Sequence, residues 1–110
     1  AGADALRAVA DAYRAYAEAH PGSYAALQRP ASGSGAYEAA ATMAVDTMLA
    51  VVAGYGLEGD EAIHAVRGVR AALHGFVTLE REAGFAISLP TRTSYDRLVA
   101  MLDRALASTP

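Results

Sequence analysis

Apolar residues recur at helical spacing along most of the chain. In "DALRAVADAYRAYAEA" (4–19), Leu6, Val9, Tyr13 and Tyr16 follow at intervals of three and four, which predicts an amphipathic helix. Asp11, Arg14 and Glu18 fall on another face, as solvated i,i+3 and i,i+4 pairs. "HPG" at 20–22 ends this helix, because the residue before a proline is driven out of helical geometry. Pro21 can then open a short second helix over 21–28. "RPASGSG", 29–35, is a loop. The following run predicts a helix over 36–53, with Tyr37, Ala41, Ala44, Met48 and Val51 or Val52 as its stripe and Asp46 opposite. "GYGLEGD" is a turn-rich connector. The longest helix runs over 60–83, about 36 Å, with Asp60 and Glu61 where the helix dipole favours acids. "GFAISLP" breaks it, and "FAISL" is the one strand-like stretch. A last helix runs over 93–107, where Thr93 and Asp96 resemble a capping box.

The pattern is all-α: a five-helix bundle forming a single domain over 1–110. The penultimate helix is apolar round most of its circumference, through Ile63, Val66, Val69, Leu73, Phe76, Val77 and Leu79. The final helix carries a broad stripe of Tyr95, Leu98, Val99, Met101, Leu102 and Leu106. Such helices need cover nearly all round. A second copy supplies it economically, so a two-fold homodimer through the last two helices is expected. Phe76, Leu79, Tyr95, Leu98 and Leu102 are its expected interface.

Composition narrows the function. Hydrophobic residues make up 54% of the chain but aromatics only 7%, so small side chains fill the core. No apolar run reaches membrane-spanning length, and the acids near the N-terminus do not suit an export signal. Without cysteine there is no disulfide, thiolate site or thiol nucleophile, which fits a cytoplasmic protein. Net charge is −3 and the arginines are dispersed from Arg7 to Arg104, so the chain itself has no nucleic-acid-binding face.

Candidate chemistry is sparse. His74 and Gly75 both weaken the middle of the long helix. Gly75 is read as allowing close helix packing. His74 is read either as a hydrogen-bonded core histidine or as the polar anchor of a ligand cavity. Glu61 and His64 make E-x-x-H, but the further glutamates and second copy of a di-metal site are missing, so no metal or other cofactor is expected. His20 is the helix-end residue before Pro21. "SGSG" is a linker and not a nucleophile elbow. No catalytic residue is assigned and the protein is not expected to be an enzyme. Arg67 and Arg70 lie within the long helix as solvated or ion-paired stems, either of which could meet an anionic group. Tyr13, Tyr16, Met43 and Met48 suit either a core or an adaptable apolar pocket.

The whole chain resembles the C-terminal regulatory domain of TetR-family transcription regulators, and within it the subgroup with a Trp-His-Gly (WHG) motif. Here that motif stands as Leu73-His74-Gly75-Phe76, with leucine at the tryptophan position. "HPGSYAAL" at 20–27, "VRAALHGFVTLEREAGF" at 69–85 and "SYDRLVAMLDRAL" at 94–106 carry the rest of the likeness. The resemblance implies a homodimer that binds a small, largely apolar effector in each subunit. Tyr13, Tyr16, Met43, Thr47, Met48, Arg70 and His74 are the expected pocket. It also implies that operator DNA is bound only through an N-terminal helix-turn-helix, which is missing from these 110 residues. The alternative is a structural homodimerisation module without a ligand.

Overall fold

The structure of the protein, a computed structural model, describes residues 2–20, 35–82 and 84–109, with the backbone alone for 35–43. Among these residues there are four helices and no strand: α1 (Gly2–Ala19), α2 (Gly35–Ala53), α3 (Gly59–Arg81) and α4 (Thr91–Ala107). The expected helix over 21–28 lies outside the described residues, so the count of five reduces here to four. "FAISL" is irregular backbone linking α3 to α4.

α1 and α3 each pack against all the other helices, and the core lies between them. It consists of Leu6, Ala10 and Ala17 from α1, Val51 and Val52 from α2, Leu57 from the turn, Ala62, Val69, Leu73 and Val77 from α3, and Tyr95, Val99 and Leu106 from α4. Leu73, the residue at the motif's tryptophan position, is completely buried.

The buried stripe of α1 is rotated from the expected one. Val9 and Tyr13 are only partly buried and Tyr16 is exposed, while Ala10 and Ala17 sit at the helix contacts. Alanine lets two backbones approach closely, so apolar bulk alone misjudges which face is innermost. On α2 the stripe is shifted differently: Ala44, expected inside, is exposed, while Met48 and Leu49 lean on the core. Asp46 is exposed, as its position opposite the stripe predicts.

The α2–α3 turn uses Gly56 at φ +81°, a conformation that side chains with a Cβ disfavour, and folds Leu57 back into the core. Tyr55 at this turn donates a 2.6 Å hydrogen bond from its hydroxyl to Asp103 Oδ1 of α4. Gly2 passes so close to the Tyr55 ring that a Cβ there would lie 3.0 Å from a ring carbon. The start of α1, the turn and the end of α4 thus form one tied corner.

α4 begins two residues earlier than expected. Pro90 stands at its N-cap with no side-chain cap bond, so the Thr93–Asp96 capping box does not form. The Asp96 carboxylate is drawn instead to Arg7 and Arg92. α3 ends at Arg81, where the Gly84 N–H closes on the Leu79 carbonyl at 2.7 Å.

Tyr95 is fully buried and donates its hydroxyl proton to the Ala10 carbonyl of α1. Removing that hydroxyl in Tyr95→Phe should cost roughly 1 kcal/mol of unfolding free energy in urea denaturation. Leu73→Ala should cost about 2–5 kcal/mol. A Leu73→Ala loss below about 1 kcal/mol would contradict the packing described.

Candidate functional site

The strongest polar feature is a charged cluster where α1, α3 and α4 meet. Arg14 donates from Nε to Glu80 Oε1 at 3.1 Å and from Nη2 to Glu80 Oε2 at 2.6 Å. The Thr91 hydroxyl, in the first turn of α4, donates to Glu80 Oε2 at 2.5 Å. Glu18 adds a weaker contact to Arg14 at 3.5 Å. The Arg14 and Glu80 side chains are only 15% and 18% exposed, so this pair is largely withdrawn from water. Reading Arg14 as a solvated surface charge is therefore corrected. The two residues sit in core register, Arg14 four positions after Ala10 and Glu80 three after Val77; only the Val77 register was readable in the sequence, since the expected α1 stripe did not include Ala10.

The hydrogen bond from Arg14, and secondarily that from Thr91, holds the Glu80 carboxyl below the usual glutamate range against the opposing effect of burial. The same bond raises Arg14 further above its already high value. The Arg14 guanidinium also lies 5.5 Å from the centre of the Tyr95 ring. Tyr95 also meets Phe76 at 5.0 Å, and Phe76 meets Phe85 at 4.9 Å, both tilted pairs. A second network, formed by Arg7, Asp11, Arg92 and Asp96, joins α1 to α4. Its members are 38–50% exposed, so it adds little stability.

Of the expected pocket residues, Tyr13, Met48 and His74 are half-buried, with Tyr13 and Met48 resting on the core. Tyr16 is 37% exposed and stacks on His20 at 4.8 Å. Thr47 and Arg70 are exposed, and the Met43 side chain lies outside the described residues. Two grooves are described. One, of about 180 Å³, lies between Ala17 and Glu18 of α1 and Val77, Glu80 and Arg81 of α3. The other, of about 270 Å³, runs between α3 and α4 past His64, Gly68, Leu102 and Ala105. None of the six expected pocket residues whose side chains are described lines either groove.

The expected interface residues divide. Leu79 is 48% exposed, and Leu98 and Leu102 are partly exposed. Phe76 is half-buried between its two aromatic neighbours. Tyr95 must be removed from the set: it is fully buried within the chain, bonded to Ala10 of α1 and packed on Phe76 of α3, and a residue sealed inside one chain cannot touch another. Among the described residues, a Cβ built at Gly75 would meet nothing within 4 Å. Among the described residues, no group of three or more metal-ligating side chains is found, and no helix is long and apolar enough to cross a membrane.

Because its folded-state pKa is depressed, Glu80 stabilises the fold above the ordinary glutamate value of 4.5 and loses that contribution as the pH falls through its lower folded value. Glu80→Gln should cost roughly 1–3 kcal/mol at pH 7 by leaving Arg14 without its carboxylate. In urea melts across pH, the gap between wild type and variant should be constant above about pH 5.5 and narrow on acidification. A gap that stays constant down to pH 2 would refute the stabilising role given to the ionised pair.

Comparison with known proteins agrees with this helical arrangement. A family model described as "Tetracyclin repressor-like, C-terminal domain" matches residues 6–102. The chain is also 46% identical over 79 residues to an "uncharacterized HTH-type transcriptional regulator" of Mycobacterium tuberculosis. That alignment covers 70% of this chain and 36% of the relative, so the chain spans about a third of that protein's length. A match running from α1 through most of α4 shows the family: the chain belongs to the tetracyclin repressor-like C-terminal domains, the regulatory domains of TetR-family transcription regulators.

Proposed function

We propose that this domain senses a small, largely apolar effector and dimerises, controlling DNA binding by helix-turn-helix elements of a longer polypeptide. The observation that carries the reading is the family match across residues 6–102. The name of the Mycobacterium tuberculosis relative, an HTH-type regulator, supports the link to DNA. In such a regulator the effector acts by binding two arrangements of the dimer with different affinity.

Tyr13, Tyr16, Met43, Thr47, Met48, Arg70 and His74 are the effector-binding residues in this proposal. They lie on α1, α2 and α3, three mutually packed helices. Rings, thioethers and a few polar groups suit a flexible apolar guest. Leu79, Leu98 and Leu102, with Phe76 behind them, form the dimer contact. Among the described residues, space is open at Gly68 and Gly75, which lie two helical turns apart on α3. Gly68 lines the groove toward Leu102 and Ala105, where a facing helix would approach. Close packing at Gly75 would then occur between subunits.

A second reading is a structural dimerisation module without a ligand, in which the six described pocket residues, none of which lines a described groove, serve packing alone. Thermal melts against a library of apolar small molecules separate the two. A compound at a hundred times its Kd adds about 2.7 kcal/mol and raises Tm. A library that leaves Tm unmoved beside a concentration-dependent melt would favour the structural module.

Leu98→Arg should weaken dimerisation at least tenfold, about 1.4 kcal/mol, in sedimentation equilibrium. An unchanged dimer would move the contact elsewhere. Gly75→Ala gives an independent reading. On a solvent-facing helix it should stabilise the fold by about 1 kcal/mol. At a close subunit contact it should weaken the dimer instead.

A further inference from the structure

The segment joining α3 to α4 is fixed at both ends, yet it holds large apolar side chains in water. Its start is fixed by the Gly84–Leu79 backbone bond and by Phe85 packed against Phe76. Its end is fixed by Thr91 on Glu80. Between these anchors the Leu89 N–H bonds to the Ile87 carbonyl at 2.8 Å. Even so, Ile87 is 80% exposed and Leu89 70% exposed. Residues 84–90 contain no charged side chain. Isolated surface leucines are ordinary, but a cluster on an anchored segment marks a contact surface.

We infer that Ile87 and Leu89 of the α3–α4 connector pack against a second copy of this chain, extending the dimer contact beyond the two helices. The inference rests on the dimer reading above. Area argues for it. A stable interface needs roughly 800 Å² from each partner. On the outer faces of α3 and α4 the large apolar residues most open to contact are Leu79 and Met101, 48% and 52% exposed. A large aliphatic side chain carries on the order of 100 Å² of apolar surface, so these two offer about 100 Å² together and Ile87 and Leu89 add about 150 Å². Position argues for it too, since Leu79 touches the start of the connector and joins it to the outer face of α3.

The chain has no cysteine, so single thiols can report on this surface without background. Ile87→Cys and Leu89→Cys, with Asp46→Cys as an exposed control on α2, would be titrated with a maleimide above and below the dimer dissociation concentration found by sedimentation. Labelling at 87 and 89 should slow at least tenfold in the dimer and recover on dilution or in the Leu98→Arg background, while the control stays constant. Equal rates in dimer and monomer would overturn the connector contact and leave the dimer reading intact. Slow labelling at every concentration would overturn it as well, by placing the cover within one chain. A chain that sediments as a monomer throughout would overturn both the dimer reading and this inference.

Discussion

The described architecture depends on one ion pair set between helices. Arg14 and Glu80 meet by two hydrogen bonds, and Thr91 completes the carboxylate's partners. A largely buried charge is tolerated only when a partner and further hydrogen bonds satisfy it. Here the carboxylate on α3 takes partners from α1 and α4, so satisfying the charge fixes how α1, α3 and the start of α4 sit together. Apolar packing supplies most of the cohesion, but it is non-directional. The fork of the guanidinium against the carboxylate gives the arrangement a geometry.

From that pair a continuous row of side chains crosses the domain: Arg14, Tyr95, Phe76 and Phe85. Tyr95 is the pivot. It bonds to the Ala10 carbonyl, faces the guanidinium and packs on Phe76, so one residue joins the polar cluster to the hydrophobic interior. The row ends where the irregular segment begins, which explains how a stretch without regular secondary structure holds a defined course. The corner at Gly2, Tyr55 and Asp103 plays the corresponding part at the far end of α4.

Helix placement was legible in the sequence because apolar periodicity, the prolines and the glycine-rich turns are local signals. α1 and α2 begin and end within two residues of expectation, as do the start of α3 and its end. Which residues lie deepest was less legible. Periodicity weights bulk, while Ala10, Ala17 and Ala62 are buried because they are small. Tyr95 misled for a related reason: a wide stripe on α4 suggested a second chain, but α1 consumes part of that width. Arg14 was placed on a solvated face with Asp11 and Glu18, and Glu80 was not singled out, because their pairing depends on how α1 meets α3. Of the candidate pocket, Met48 leans on the core as its stripe predicts, while Tyr13 is only partly buried because the α1 stripe is rotated. Whether the seven residues enclose anything depends on tertiary placement that spacing does not encode.

The alanine-lined helix contacts also bias how this sequence can drift. An alanine at a crossing has little volume left to lose, so nearly every apolar replacement is an enlargement. Adding methylenes to a packed interior costs about 1–3 kcal/mol, since neighbours must shift or leave their rotamers. Large core residues such as Leu73 have near-isosteric alternatives, whereas Ala10 and Ala17 have almost none except glycine, which weakens the helix. The least conspicuous side chains of α1 should therefore be among the slowest to change, and natural variation should collect on the faces that the four helices leave open.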